Sequence, residues 1–171
     1  MTDLDYSFTP AHELSLLVQT REVSPVDLVE HSLGRIAALN PTLNAFVELN
    51  EEHALSVAKE QATLLAEGND IGPLAGLPLG VKDLENAAGF NTTNGSRLYR
   101  DNQVSFDDTH IARLKQAGAI VLGKTNTPEF GHIPFTDNDI FGPTLNPWNL
   151  ERTPGGSSGG SAAAIASGMV P

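Results

Sequence analysis

The sequence predicts an α/β fold, and three observations carry that expectation. Apolar residues recur at helical spacing through the first third of the chain. The continuous apolar run Ala119-Ile120-Val121-Leu122 reads as a buried parallel strand. Later, four glycines and three serines between residues 155 and 161 run into Ala162-Ala163-Ala164-Ile165-Ala166, as a loop turning into a helix. At 171 residues the chain fits one domain with a sizeable core.

The elements follow in order. Thr9-Pro10 reads as the N-cap and first position of a helix reaching about Gln19. Ser24-Pro25-Val26-Asp27 is a capping signature with an acid at the third helical position. The helix it starts carries Val26, Leu28, Val29, Leu33, Ile36 and Leu39 and should end at Asn40-Pro41. Ala45-Phe46-Val47-Glu48-Leu49 is a short strand, and a long helix should run from Glu51 to about Glu67, stopped by Gly68. A strand lies within Gly76-Leu77-Pro78-Leu79-Gly80-Val81-Lys82-Asp83. Asp107-Asp108 begin a helix ending near Ala117, with Gly118 as its stop. The strand 119–122 follows, and Gly123-Lys124-Thr125-Asn126 should leave its carboxyl end. Residues 134–154 are rich in Pro, Asn, Asp and Gly and read as a long irregular loop. Residues 1–70 are thus a helical region, and 71–171 the start of an α/β core with sites at strand ends.

Charge and composition exclude several classes. The net charge of −11 argues against direct contact with nucleic acid or an anionic membrane, both of which need clustered Lys and Arg. Absence of cysteine excludes disulfides and thiolate metal sites. Met1 opens a polar, acidic segment unlike a signal peptide, and no apolar run can span a bilayer. The expectation is a soluble cytoplasmic protein.

Two places carry candidate chemistry. Lys82 ends a strand of apolar and small residues; partial burial there would lower its pKa and free a neutral amine to act as a base. A strand-end lysine snorkelling to solvent fits the same residues. Asp83 should point to the opposite face. The Gly/Ser loop can aim backbone N–H groups and hydroxyls at one spot. It lacks the Gly-Lys-Ser/Thr ending of a phosphate-binding loop. Gly-x-Ser-x-Gly patterns centred on Ser157 and Ser158 match a nucleophile elbow, but no Asp, Glu or His follows to complete a hydrolase triad. A flexible linker would not lead straight into an alanine-rich helix. His12, His31, His53, His110 and His132 are scattered without metal-ligand spacing, so no metal or cofactor is expected.

Four motifs then fall in one order: Gly80-Val81-Lys82-Asp83, Thr92-Thr93-Asn94-Gly95-Ser96, Gly123-Lys124-Thr125-Asn126-Thr127-Pro128-Glu129-Phe130, and Gly142-Pro143-Thr144-Leu145-Asn146-Pro147-Trp148 through Gly155 to Ser161. The set resembles the amidase signature family of serine hydrolases, over nearly the whole chain. The resemblance implies part of a mixed β-sheet covered by helices, in one amidase domain. It implies a Ser–cisSer–Lys triad in which Lys82 is the base and Ser157 the cis serine, with Gly155, Gly156, Ser158, Gly159 and Gly160 supporting the loop or substrate. The family's acylated serine lies in a Gly-Gly-Ser segment soon after the alanine-rich helix. None occurs by Pro171, so the resemblance implies an N-terminal piece, expected to be inactive and poorly stable alone. The implied substrate is a small-molecule amide, with a homodimer as an option for the intact protein. The other readings are the glutaminase component of a tRNA-dependent amidotransferase and a noncatalytic binding or assembly module. Gly131-His132-Ile133-Pro134 looks more like stand-alone amidases.

Overall fold

The computed structural model describes residues 6–171; the acidic start at Met1 lies outside the described residues. Helix α1 spans Ala11–Gln19, one residue later than the sequence suggests, because Pro10 is its N-cap and its carbonyl accepts Glu13 N at 2.9 Å and Leu14 N at 3.1 Å. Helix α2, Pro25–Leu43, begins with the capping box: Ser24 Oγ accepts from Val26 N at 3.1 Å and Asp27 Oδ2 from Ser24 N at 3.2 Å.

The end of α2 differs from expectation, since the helix runs past Pro41 to Leu43. Proline forfeits one donor and crowds the carbonyl four residues back. Local bonds outweigh that cost in the last turn. Asn44 takes a left-handed conformation and returns its N–H to Asn40 O at 2.8 Å. Asn40 Oδ1 accepts both Ala45 N and Phe46 N at 2.8 Å, fixing the exit into β1, Phe46–Leu49.

Helix α3, Glu51–Ala66, is capped by Asn50, whose Oδ1 accepts His53 N at 3.1 Å. Strand β2 is Pro78–Lys82, helix α4 Thr109–Gln116, strand β3 Ile120–Thr125 and helix α5 Gly159–Ala166. The chain is therefore α/β, with a mixed sheet in the order β1-β3-β2. Central β3 pairs antiparallel with β1 and parallel with β2. Helices cover both faces. Ile120 and Leu122 pack with Val29 and Ile36 of α2, Ala54 and Ala58 of α3, and Ala163 and Ala164 of α5. Val81 and Val121 pack with Ile111 of α4 and with Phe90 from the loop after β2.

Strand β3 is longer than expected and holds 123–125 inside the sheet. A bulge explains where Lys124 points. Leu79 pairs with Val121, but Gly80 pairs with Gly123, leaving Leu122 as the extra residue. An inserted residue inverts the alternation beyond it. Lys124 thus shares the face of Val121, while Thr125 turns towards α5, where its hydroxyl meets Ser161 Oγ at 2.7 Å.

Candidate active site

Lys82 is the last residue of β2, opposite Thr125, and its side chain points to the α5 side of the sheet. Its Nζ donates to Ser157 Oγ at 2.7 Å. The lysine is half-buried. Desolvation pulls its pKa below the ordinary lysine value, and the nearby Glu85 carboxylate pulls it partly back up. Glu85 sits in the turn that follows, its N–H donating to Lys82 O at 3.0 Å, and its carboxylate lies 3.3 Å from His110 Nε2 of α4.

The Gly/Ser loop is held from several sides. The Gly156–Ser157 peptide bond is cis. Ser157 O accepts from Thr127 Oγ1 at 3.3 Å, and Gly155 O from Thr136 Oγ1 at 3.0 Å. Gly156 lies against the backbone of Phe135, where a Cβ would stand 2.8 Å from the amide nitrogen. A Cβ on Gly160 would be 2.3 Å from Asn126 N, so α5 can approach β3 only with glycine there.

Of the three serines, Ser157 alone meets Lys82 in the described hydrogen bonds. Ser158 is the exposed N-cap of α5 and makes no capping bond, while Ser161 is paired with Thr125. The expectation that the first N–H groups of α5 converge on a reacting atom needs correction. Gly159 N donates to Thr136 Oγ1 at 2.9 Å and Gly160 N to Asn126 O at 3.2 Å. These two donors hold the helix to the 126–144 loop and are already committed.

Sequence reasoning missed the network behind Lys82. Asp83 faces away from Ser157. Its carboxylate accepts Thr93 N at 3.0 Å and the Thr93 hydroxyl, and lies 3.2 Å from Lys124 Nζ. Lys124 is fully buried, and its Nζ also donates to Glu85 O at 2.8 Å, Asn91 O at 3.0 Å and Thr92 Oγ1 at 3.0 Å. Burial drives its pKa down while Asp83, then Glu48 and Glu85, favour the ammonium. The signal was a lysine in an apolar strand, visible only once the strand was known to include it. A second missed group is Asn126 with Asn138: Asn138 Nδ2 donates to Asn126 Oδ1 and to Thr127 O, each at 2.8 Å, bracing the loop over Ser157. Among the described residues no cluster of three or more His, Asp or Glu could hold a metal ion. No helix is long and apolar enough to cross a membrane among the described residues.

The α/β sheet thus presents a half-buried lysine to a serine on a Gly/Ser loop. The sequence model of the Amidase family matches residues 27–171, and the chain belongs to the amidase signature family. It is 44% identical over 161 residues to the glutamyl-tRNA(Gln) amidotransferase A-type subunit of Acidothermus cellulolyticus, covering 94% of this chain and 32% of that one. Among solved structures it resembles a bacterial aryl acylamidase of the amidase signature family, with TM-score 0.94 and 34% identity over 98% of this chain and 35% of the other. It also resembles a peptide amidase solved with the competitive inhibitor chymostatin, with TM-score 0.91 and 35% identity over 98% of this chain and 36% of that one. The chain spans about a third of the length of the curated relatives it matches.

Proposed function

We propose that the intact protein is an amidase that hydrolyses a carboxylic amide through a Ser–cisSer–Lys triad, with Lys82 as the terminal base and Ser157 as the relay. The observation that carries this is the 2.7 Å contact between Lys82 Nζ and Ser157 Oγ. Burial lowers the pKa of Lys82 and so enlarges its neutral fraction at a given pH, and a neutral amine at that distance accepts the hydroxyl proton. Ser157 in turn accepts the proton of the acylated serine, which the family places in a Gly-Gly-Ser segment beyond the alanine-rich helix. The resulting alkoxide forms a bond to the amide carbonyl carbon. Collapse of the tetrahedral intermediate breaks the C–N bond, and the proton held by Lys82 returns through Ser157 to the departing nitrogen. Water then hydrolyses the acyl-enzyme by the same relay. On this reading Lys82 and Ser157 are two of the three triad members, and turnover needs all three.

Gly155, Gly156, Ser158, Gly159 and Gly160 support the loop that presents Ser157. On this reading the protein works in the cytoplasm on a small-molecule amide, as one amidase domain made of a helical region, 1–70, and the start of the α/β core, 71–171, with a homodimer as one option for the intact protein.

A second reading has its own observation. Relatives 44% and 48% identical to this chain are named as the A-type subunit of glutamyl-tRNA(Gln) amidotransferase. In that role the same triad would hydrolyse glutamine and pass ammonia to a partner. Assay of the full-length protein separates the two. Turnover of simple carboxylic amides without partner proteins supports the stand-alone amidase. Glutaminase activity that appears only with partner proteins and charged tRNA supports the second.

A further inference from the structure

The buried Lys124 is not used by the proposed reaction, yet its ammonium makes three hydrogen bonds and an ion pair. Its ammonium reaches both ends of the 83–92 loop: Asp83 and Glu85 at the start, Asn91 and Thr92 at the close. The loop leaves β2 directly after Lys82, and Asp83 N donates to Thr125 O at 3.0 Å, continuing the parallel ladder one residue beyond the strand. Asp83 O accepts Asn94 N at 3.0 Å, and Asn94 O accepts Phe130 N at 2.8 Å. The clamp is thereby linked to the loop over Ser157. Within that loop Leu84 Cδ1 lies 2.8 Å from where a Cβ on Gly131 would stand, and Ser157 Oγ lies 3.6 Å from the same point.

We propose that Lys124 is a positioning residue for Lys82: by closing the 83–92 loop behind β2 it holds the Lys82 amine against Ser157. The bulge at Leu122 is what makes this possible, since it turns Lys124 to the face opposite Lys82. An ammonium suits the task because it donates in three directions at once, to acceptors at both ends of the loop. The uncharged alternatives at this position reach fewer carbonyls. Charged and titratable groups face this region from each neighbouring element. They are Glu85 in the turn, His110 of α4 paired with Glu85, Asp83 beside Lys124, Glu48 of β1, whose carboxylate accepts Asn91 N at 2.9 Å, and Asp107 and Asp108 ahead of α4, which accept Ala88 N and Asn86 N of the loop at 2.8 Å each. With the clamp in place, desolvation dominates at Lys82. Without it, the loop loosens, water reaches the amine, and an unpaired Asp83 adds a negative charge nearby. Both changes favour the Lys82 ammonium.

This rests on the reading of Lys82 as base, but its test needs no turnover. The lysines of residues 1–171 are Lys59, Lys82, Lys115 and Lys124, and in the isotope-labelled full-length protein the Lys82 side-chain resonance is assigned by its loss in Lys82→Ala. The pKa of Lys82 is measured by NMR titration in the native sequence, in Lys124→Met and in Thr92→Val, which removes one acceptor and keeps the ammonium. Gln61→Leu serves as a control that costs stability far from the loop, since Gln61 bonds Gly76 N and Gly118 O. The expected result is a Lys82 pKa raised by about one unit or more in Lys124→Met, raised less in Thr92→Val, and unmoved in Gln61→Leu. An unchanged Lys82 pKa in folded Lys124→Met overturns the proposal. Should Lys124→Met fail to fold, an unchanged value in Thr92→Val overturns it equally. A shift in Gln61→Leu as large as in the loop variants also overturns it, because loss of stability alone would then explain the effect. Failure of the amidase reading would show instead as absent turnover in the full-length protein, with these shifts intact.

Discussion

Lys82 and Ser157 are 75 residues apart in the chain, and their Nζ and Oγ atoms meet at 2.7 Å. A strand end fixes the first, through its ladder to Thr125. A glycine-flanked loop pinned by Thr127 and Thr136 fixes the second. Neither side chain gains its place from its immediate neighbours alone, and the contact joins the two motifs that carry the proposed chemistry.

Amide turnover by the full-length protein should rise with pH as Lys82 loses its proton, because the neutral amine is the base. Burial places that rise below the value for free lysine, about 10.4. The Glu85 carboxylate works the other way, favouring the ammonium. Glu85→Gln should therefore move the acid limb of the kcat/KM profile to lower pH. A limb displaced to higher pH would contradict the assigned sign.

Ser157→Ala should leave the fold intact and remove the relay. The expected loss in kcat is about 10²- to 10⁴-fold, the usual range for a proton-transfer group. Thermal denaturation alongside the kinetics checks that the loss is chemical. A variant retaining most of its turnover would exclude the relay role.

Two glycines give opposite expectations for stability. A Cβ at Gly160 would fall 2.3 Å from Asn126 N and 2.7 Å from Ala45 O, both backbone atoms with little freedom to move. Gly160→Ala should cost about 1–3 kcal/mol. Gly34 is exposed in the interior of α2 with nothing near its missing Cβ. Gly34→Ala should stabilise by about 0.5–1 kcal/mol. Urea denaturation of both variants measures the difference.

Much of the fold is legible in the sequence because local signals agree with the tertiary outcome. Ser24 and Asp27 announce α2, Gly68 announces the end of α3, and the run at 119–122 announces the central strand. Two failures have physical causes. Pro41 reads as a stop, but Asn40 and Asn44 satisfy the exposed backbone groups just beyond it. Gly123 reads as the strand's end, although its missing side chain is what lets Glu48 O approach to 2.0 Å of the Cβ position. At the site, the motifs around Lys82 and Ser157 are visible as motifs. The Asp83–Lys124 pair is not, because a one-residue bulge decides which face Lys124 takes and no local pattern encodes it.

The assignment of Lys82 as terminal base is tested most directly by amide turnover of full-length Lys82→Ala against the unmodified protein at the same pH. Neither neighbouring lysine can substitute: Lys124 is committed behind the sheet, and Lys115 is paired with Asp107 at 2.6 Å. The predicted result is a fall in kcat of about 10³-fold or more with the melting temperature little changed. Near-native turnover in Lys82→Ala would contradict it.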